Sequence, residues 1–241
     1  MQLIIDVGNT RVKIAVFEIN NLLARHDFEL SDFNSEVIRF IKKYPIKKAI
    51  VSSVGRLSRE QLRLVQLRFP TTLLSHKIPL PFTNEYGTPE TLGVDRMALV
   101  SAFAKEYPHK NGLIIDAGTC ITFDFIDSKG SYKGGAISPG IRLRYKSLHE
   151  LTANLPLLEK LMPKSIVGTT TETSIHSGIV QGIILEIDGV INEYKTQYHV
   201  DTVILTGGDA QFLAKRLKNS IFAHSNFLLE GLNYILTHSD D

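Results

Sequence analysis

An apolar strand runs into an acidic glycine turn twice in this chain, 110 residues apart. Leu3-Ile4-Ile5-Asp6-Val7-Gly8-Asn9-Thr10 recurs as Leu113-Ile114-Ile115-Asp116-Ala117-Gly118-Thr119. Each copy continues into a second apolar stretch, Val12 to Phe17 and Ile121 to Ile126, so each predicts a strand, a tight turn and a returning strand. Two hairpins of one design predict two halves of one α/β fold, and 241 residues suit domains at 1–110 and 111–241.

The turns have chemical meaning. Asp followed by Gly and a hydroxyl or amide residue exposes backbone N–H groups that can hold phosphate, while the carboxylate faces a metal-bound water. Gly8 lets the first turn close, Asn9 and Thr10 add donors, and Lys13 projects from the next strand toward the same mouth. A single copy reads as an ordinary hairpin. The repeat at Asp116 and a third glycine turn, Gly207-Gly208-Asp209, shift the expectation to a nucleotide triphosphate gripped between opposed turns.

Around these turns, strands at 2–6, 11–18 and 22–30 predict an antiparallel meander, followed by a helix from an Asp32 cap to Lys43, a strand at 47–53, a helix at 58–69 and a strand at 71–74. The order is βββαβαβ. A Pro/Gly loop from Ser75 to Arg96 is too long and polar for a plain connection and is expected to carry function. Beyond it come a helix at 95–107, the second hairpin, a strand at 131–137 and helices at 141–151, 172–194, 210–217 and 226–236. Ile175, Ile179, Ile183, Ile187 and Ile191 form one stripe of the long helix, and Gly178 and Gly182 beside it permit close helix approach.

Composition excludes several classes. With 27 basic and 25 acidic side chains, no global field recruits nucleic acid or an anionic membrane. The single cysteine, Cys120, forbids an internal disulfide and fits a reducing cytosol, and the eight histidines show no zinc spacing. A charge after three apolar residues argues against a secretory leader, and no apolar run reaches the roughly 18 residues of a membrane helix. A cytoplasmic protein is expected.

The whole motif set resembles the ASKHA phosphotransferases and, within them, type III pantothenate kinase. The βββαβαβ order resembles the ribonuclease H-like unit of sugar kinases, actin and the Hsp70 ATPase domain. The family-specific signals are Asp6-Val7-Gly8-Asn9-Thr10, Tyr86 and Pro89 ahead of Gly93-Val94-Asp95-Arg96, Asp116-Ala117-Gly118-Thr119, Gly134-Gly135 with Ile137-Ser138-Pro139-Gly140, and Thr170-Thr171 ahead of Ser177-Gly178. All occur in family order.

That resemblance implies two ribonuclease H-like domains with a nucleotide cleft between them, ATP-dependent phosphorylation of pantothenate, and a homodimer. It implies Asp95 as general base and Asp6 as the Mg²⁺ residue. It implies Asp6, Val7, Gly8, Asn9, Thr10, Arg11, Val12, Lys13 and Thr119 as ATP contacts. Asp116 would hold a monovalent cation, K⁺ or NH₄⁺. Tyr86, Gly93, Val94, Asp95, Arg96 and Thr171 would meet pantothenate, with the register open among Thr169, Thr170 and Thr171. Arg suits a carboxylate because its planar fork makes paired hydrogen bonds. Alone, Asp95-Arg96 at a helix start reads as a cap or surface ion pair. A sugar kinase of the same fold and a regulatory module related to transcription accessory factors are the alternatives.

Overall fold

Alternation along Gln2–Val7 (β1) decides the layout of the first half: Leu3, Ile5 and Val7 point to one face and Ile4 and Asp6 to the other. In the computed structural model, which describes residues 1–55 and 57–238, β1 is the central strand of a five-stranded sheet. Val12–Glu18 (β2) and Asn21–Phe28 (β3) continue from it as an antiparallel meander. Lys48–Ser53 (β4) and Thr71–Leu73 (β5) add parallel strands on its other side.

Leu3, Ile5, Val7, Val12, Ile14, Val16, Ala49 and Val51 bury one sheet face with Phe33–Ile41 (α1) and Arg59–Gln66 (α2). A capping box opens α2: Gln61 N donates to Ser58 Oγ at 3.1 Å, and Ser58 N donates to Gln61 Oε1 at 2.9 Å. The expected Asp32 side-chain cap is absent. A 3₁₀ turn at Leu30–Asp32 holds its backbone at φ −93°, ψ 6°, outside the extended geometry that aims a capping side chain.

The opposite face carries Ile4, Ala15, Phe17 and Ile50, all essentially buried. Val94–Glu106 (α3) packs against β4 there, and Phe227–His238 (α8) packs against α3, β1 and β4. The helix pair is tight. A Cβ built on Gly231 of α8 would stand 1.9 Å from the Ala98 carbonyl oxygen, so only glycine fits. These elements form the first of two compact units, residues 1–109, 130–133 and 226–238.

The second unit, residues 110–129 and 134–225, repeats the design. Gly112–Ala117 (β7) and Cys120–Ile126 (β8) form an antiparallel hairpin, Thr202–Thr206 (β10) runs parallel to β7, and Phe222–Ala223 (β11) pairs with β10. Ser131–Pro139 (β9) has its first residues in the first unit, where they pair with Thr83–Asn84 (β6). Gly134 then takes φ +105° as the strand enters the second unit.

Leu113, Ile115, Ala117, Ile121, Phe123, Val203 and Leu205 bury their face with Ile141–Glu150 (α4) and a long helix. That helix comprises Thr171–His176 (α5), a π turn at Ser177–Gln181, and Gly182–Tyr198 (α6). The five isoleucines of the predicted stripe are all buried. Spacing of four drifts by about 40° per step on an ideal α-helix, and the wider π turn absorbs part of that drift. Thr171–Tyr198 is long and apolar enough by length and composition to cross a membrane, but the stripe's place in a protein core accounts for that apolarity. Ala210–Ala214 (α7) follows β10.

Candidate active site

One rung of the first sheet gathers polar groups. Strand register pairs Asp6 with Ser52 on β4 and with Lys13 on β2, and Lys13 with Asp27 on β3. Partners across a sheet share a face, so all four lie on the side where α3 packs.

Asp6 is buried, and its Oδ2 stands 3.8 Å from Lys13 Nζ. Asp6 Oδ1 and Ser52 Oγ each lack a partner at full hydrogen-bond geometry, yet the Ser52 hydroxyl lies close enough to favour the charged Asp6 carboxylate. Burial pushes the Asp6 carboxyl from 3.8 up to about 6; Lys13 opposes the rise and the charge of Asp95 adds to it. A buried carboxylate with an unused oxygen suits a bound cation, whose charge would reverse the burial penalty.

The turn beyond Asp6 is held from below. Gly8 N donates to the Arg11 carbonyl at 3.1 Å, and Val54 N and Gly55 N both donate to the Val7 carbonyl at 3.1 Å. A Cβ on Gly55 would lie 2.6 Å from the Gly8 carbonyl oxygen, so the loop after β4 can approach only as glycine. Asn9, Thr10 and Arg11 are exposed at the tip, and Val12 is buried. Arg25 grips Asp27 through Nε to Oδ1 at 2.8 Å and Nη2 to Oδ2 at 2.7 Å. Burial would raise the Asp27 carboxyl, but Arg25, with Lys13 and Arg11, holds it below its ordinary value. Arg11 Nη2 donates to the Asp27 backbone carbonyl at 3.1 Å, tying the turn to β3.

Asp95 sits in the first turn of α3, close enough for its charge to act on Asp6. Arg96 N donates to Asp95 Oδ1 at 2.8 Å, while a Cβ on Gly93 would meet that same oxygen at 2.4 Å. Gly93 therefore makes room for the carboxylate. Arg96 is buried, its guanidinium carbon 5.6 Å from the Tyr86 ring centre. Val94 and Gly93 are half-buried beside it. Asp6, Lys13, Tyr86, Gly93, Val94, Asp95 and Arg96 thus all belong to the first unit.

The second unit repeats the rung with different chemistry. Asp116 pairs with Thr122 on β8 and with Thr206 on β10, so two hydroxyls stand where the first copy has Lys13 and Ser52. Thr122 Oγ1 is buried without a hydrogen bond. Gly207, at φ +96°, passes so close that a Cβ would lie 2.3 Å from Asp116 Oδ1, and Asp209 N donates to the Ala117 carbonyl at 2.9 Å. Gly140 N donates to the Thr119 carbonyl at 3.0 Å, and a Cβ there would stand 2.3 Å from the Gly118 carbonyl oxygen. Three turns meet. One carboxylate among neutral hydroxyl and carbonyl oxygens, with no lysine on the rung, is a donor set for a weakly hydrated monovalent cation.

Thr169, Thr170 and Thr171 line a concavity of about 740 Å³ with Leu148, Leu155 and Gly178. Thr170 Oγ1 caps α5 by accepting from Thr173 N at 3.2 Å, and Thr173 Oγ1 accepts from Thr169 N at 3.0 Å and Thr170 N at 2.9 Å. Among the described residues nothing hydrogen-bonds the Thr171 hydroxyl, which leaves it for a ligand.

Sequence reasoning missed Ser52, Asp27 and Gly55 around the first turn and Thr122 and Thr206 around the second. Their signal is positional: each stands across from, or directly beneath, an acidic turn, which strand register alone reveals.

A model of the type III pantothenate kinase family matches residues 2–193. A type III pantothenate kinase of Flavobacterium johnsoniae is 47% identical, with 100% of this chain and 99% of that protein aligned. A Campylobacter jejuni chain provisionally described as a Baf family transcriptional activator superposes with TM-score 0.64 at 20% identity, covering 99% of this chain and 98% of that one. The activator of 2-hydroxyisocaproyl-CoA dehydratase from Clostridium difficile, solved with ADPNP, gives TM-score 0.55 at 14% identity over 99% and 94%. At such identities the two structures bear on the fold alone, and the fold is the expected pair of ribonuclease H-like units.

Proposed function

Because the chain belongs to the type III pantothenate kinase family and so phosphorylates pantothenate with ATP to 4′-phosphopantothenate, the first step toward coenzyme A, we propose a division of labour among these residues. The buried Asp6 carboxylate, with its unused oxygen and Asp95 beside it, carries the reading.

Asp95 is the general base. It accepts the proton of the substrate's primary hydroxyl as that oxygen bonds to the γ-phosphorus, while the bond from the γ-phosphorus to the bridging oxygen breaks and ADP leaves. Little more is asked of the protein than alignment and charge. The turn from Val7 to Val12 presents its backbone, Asn9, Thr10 and Arg11 to the phosphates, with Lys13 as a fixed positive charge and Thr119 as a further contact. Arg96 pairs with the substrate carboxylate, and Tyr86, the backbone at Gly93 and Val94, and Thr171 complete its contacts.

Asp6 would hold Mg²⁺, which screens phosphate charge when bound. Asp116, with Thr122, Thr206 and nearby carbonyl oxygens, would hold K⁺ or NH₄⁺, which adds positive charge without a fixed octahedral geometry. A coupled ADP-release assay tests the scheme: release should depend on pantothenate and on both cations. Equal release with and without pantothenate would point to a plain ATPase or a regulatory protein.

A homodimer is part of the same proposal. Ile166, Gly178, Gly182 and Leu185 border a second concavity of about 440 Å³. Leu185 is 49% and Ile166 66% exposed, and a Cβ on either glycine meets nothing within 4 Å. Small residues beside exposed aliphatic ones suit close approach by a second copy. Sedimentation velocity should give a dimer for wild type and a shift toward monomer for Leu185→Asp. An unchanged dimer in that variant would move the seam elsewhere.

A further inference from the structure

We propose that Tyr132 is a positioning residue for the substrate carboxylate, acting through Arg96; the inference rests on reading Arg96 as the partner of that carboxylate. Tyr132 belongs to no motif that marks the chain. It lies on β9, after the second acidic hairpin in sequence, yet its residues 131–132 are part of the first unit.

The arrangement is specific. The guanidinium carbon of Arg96 is 5.6 Å from the Tyr86 ring centre and 6.0 Å from that of Tyr132, and the two rings are 6.0 Å apart and 27° from parallel. Tyr132 is fully buried, and Phe82 meets it edge-on at 5.9 Å. The short parallel ladder explains how three distant stretches converge: Asn84 pairs with Tyr132, Glu85 N donates to the Tyr132 carbonyl at 3.0 Å, and Tyr86 N donates to Asn84 Oδ1 at 3.0 Å. The strand that fixes Tyr132 also aims Tyr86.

A buried arginine is costly unless its charge is compensated. An aromatic face contributes to that compensation, so the rings can fix the guanidinium's tilt without themselves occupying the edge that grips a carboxylate. Tyr86 alone is half-buried at the end of a loop. Tyr132, held in the strand ladder and backed by Phe82, is the rigid member. Its contribution should therefore appear only for a ligand that carries the negative charge.

Pantothenate and its neutral carboxamide analogue make the test. Tyr132→Leu should raise KM for pantothenate about tenfold, the fold-change expected when a desolvated cation–ring contact is lost. KM for the carboxamide, KM for ATP and kcat should all stay within about twofold, below the effect of one lost hydrogen bond. Tyr132→Phe, which keeps the ring, should keep the wild-type ratio of the two ligands' KM values. An equal rise for both ligands would reduce Tyr132 to packing, and no rise for either would remove it from the site; both overturn the inference. If wild type shows no pantothenate-dependent ADP release, the substrate reading itself fails and this inference falls with it.

Discussion

Asp95→Asn is expected to lower kcat for pantothenate phosphorylation at least about 10²-fold, the low end for removing a general base, with both KM values little changed. Asparagine has nearly the same shape and still offers an oxygen to Arg96 N, which now donates to Asp95 Oδ1 at 2.8 Å. The start of α3 is therefore preserved, and what disappears is the capacity to take a proton. Gly93→Ala probes the same point from outside the carboxylate. Its new Cβ, 2.4 Å from Asp95 Oδ1, must push that oxygen aside, and a displacement of about 1 Å can cost up to about 10²-fold in rate. A steady-state assay with full activity in Asp95→Asn would end its catalytic assignment.

Asp6→Asn should separate stability from activity. The folded carboxyl titrates near 6 against an ordinary 3.8, so the folded state holds its proton more tightly than the unfolded chain does. The sign follows directly: below the unfolded value both states are protonated and nothing is lost, across the interval stability falls, and above about 6 the whole penalty applies. Removing the ionisable group should raise the stability of the ligand-free protein at pH 8 by up to roughly 3 kcal/mol, and leave it nearly unchanged at pH 3.5. Activity should fall at least about 10²-fold, as when one charge-stabilising group is removed from an active site. Thermal melts at the two pH values, beside a rate assay, read both effects. A variant that is active, or less stable at pH 8 than wild type, would contradict the account of Asp6 as a strained ligand.

What could be read from the chain follows from how local each signal is. An apolar run ending in Asp and Gly declares its hairpin within ten residues, and repetition declares the architecture. The Pro/Gly loop announces its importance by composition, yet β6 inside it is two residues long and exists only because Ser131 and Tyr132 lie alongside. No window of sequence contains that pairing. Asp27 reads as one polar residue on a weak strand, and acquires meaning only when register sets it across from Lys13. Three successive threonines look equivalent until the cap of α5 consumes Thr170 and leaves the Thr171 hydroxyl unengaged. The π turn hides in the isoleucine spacing, because a repeat of four fits an α-helix closely enough to conceal an extra residue.

The tight seat of Gly231 on Ala98 sets an order of events during synthesis. The segment that shelters the apolar flank of α3 emerges from the ribosome only after every residue of the other unit has been made. Until then the helix that presents Asp95 can rest on β4 but leaves the flank that α8 will cover open, and the nascent chain must carry that sticky surface while the other unit is made.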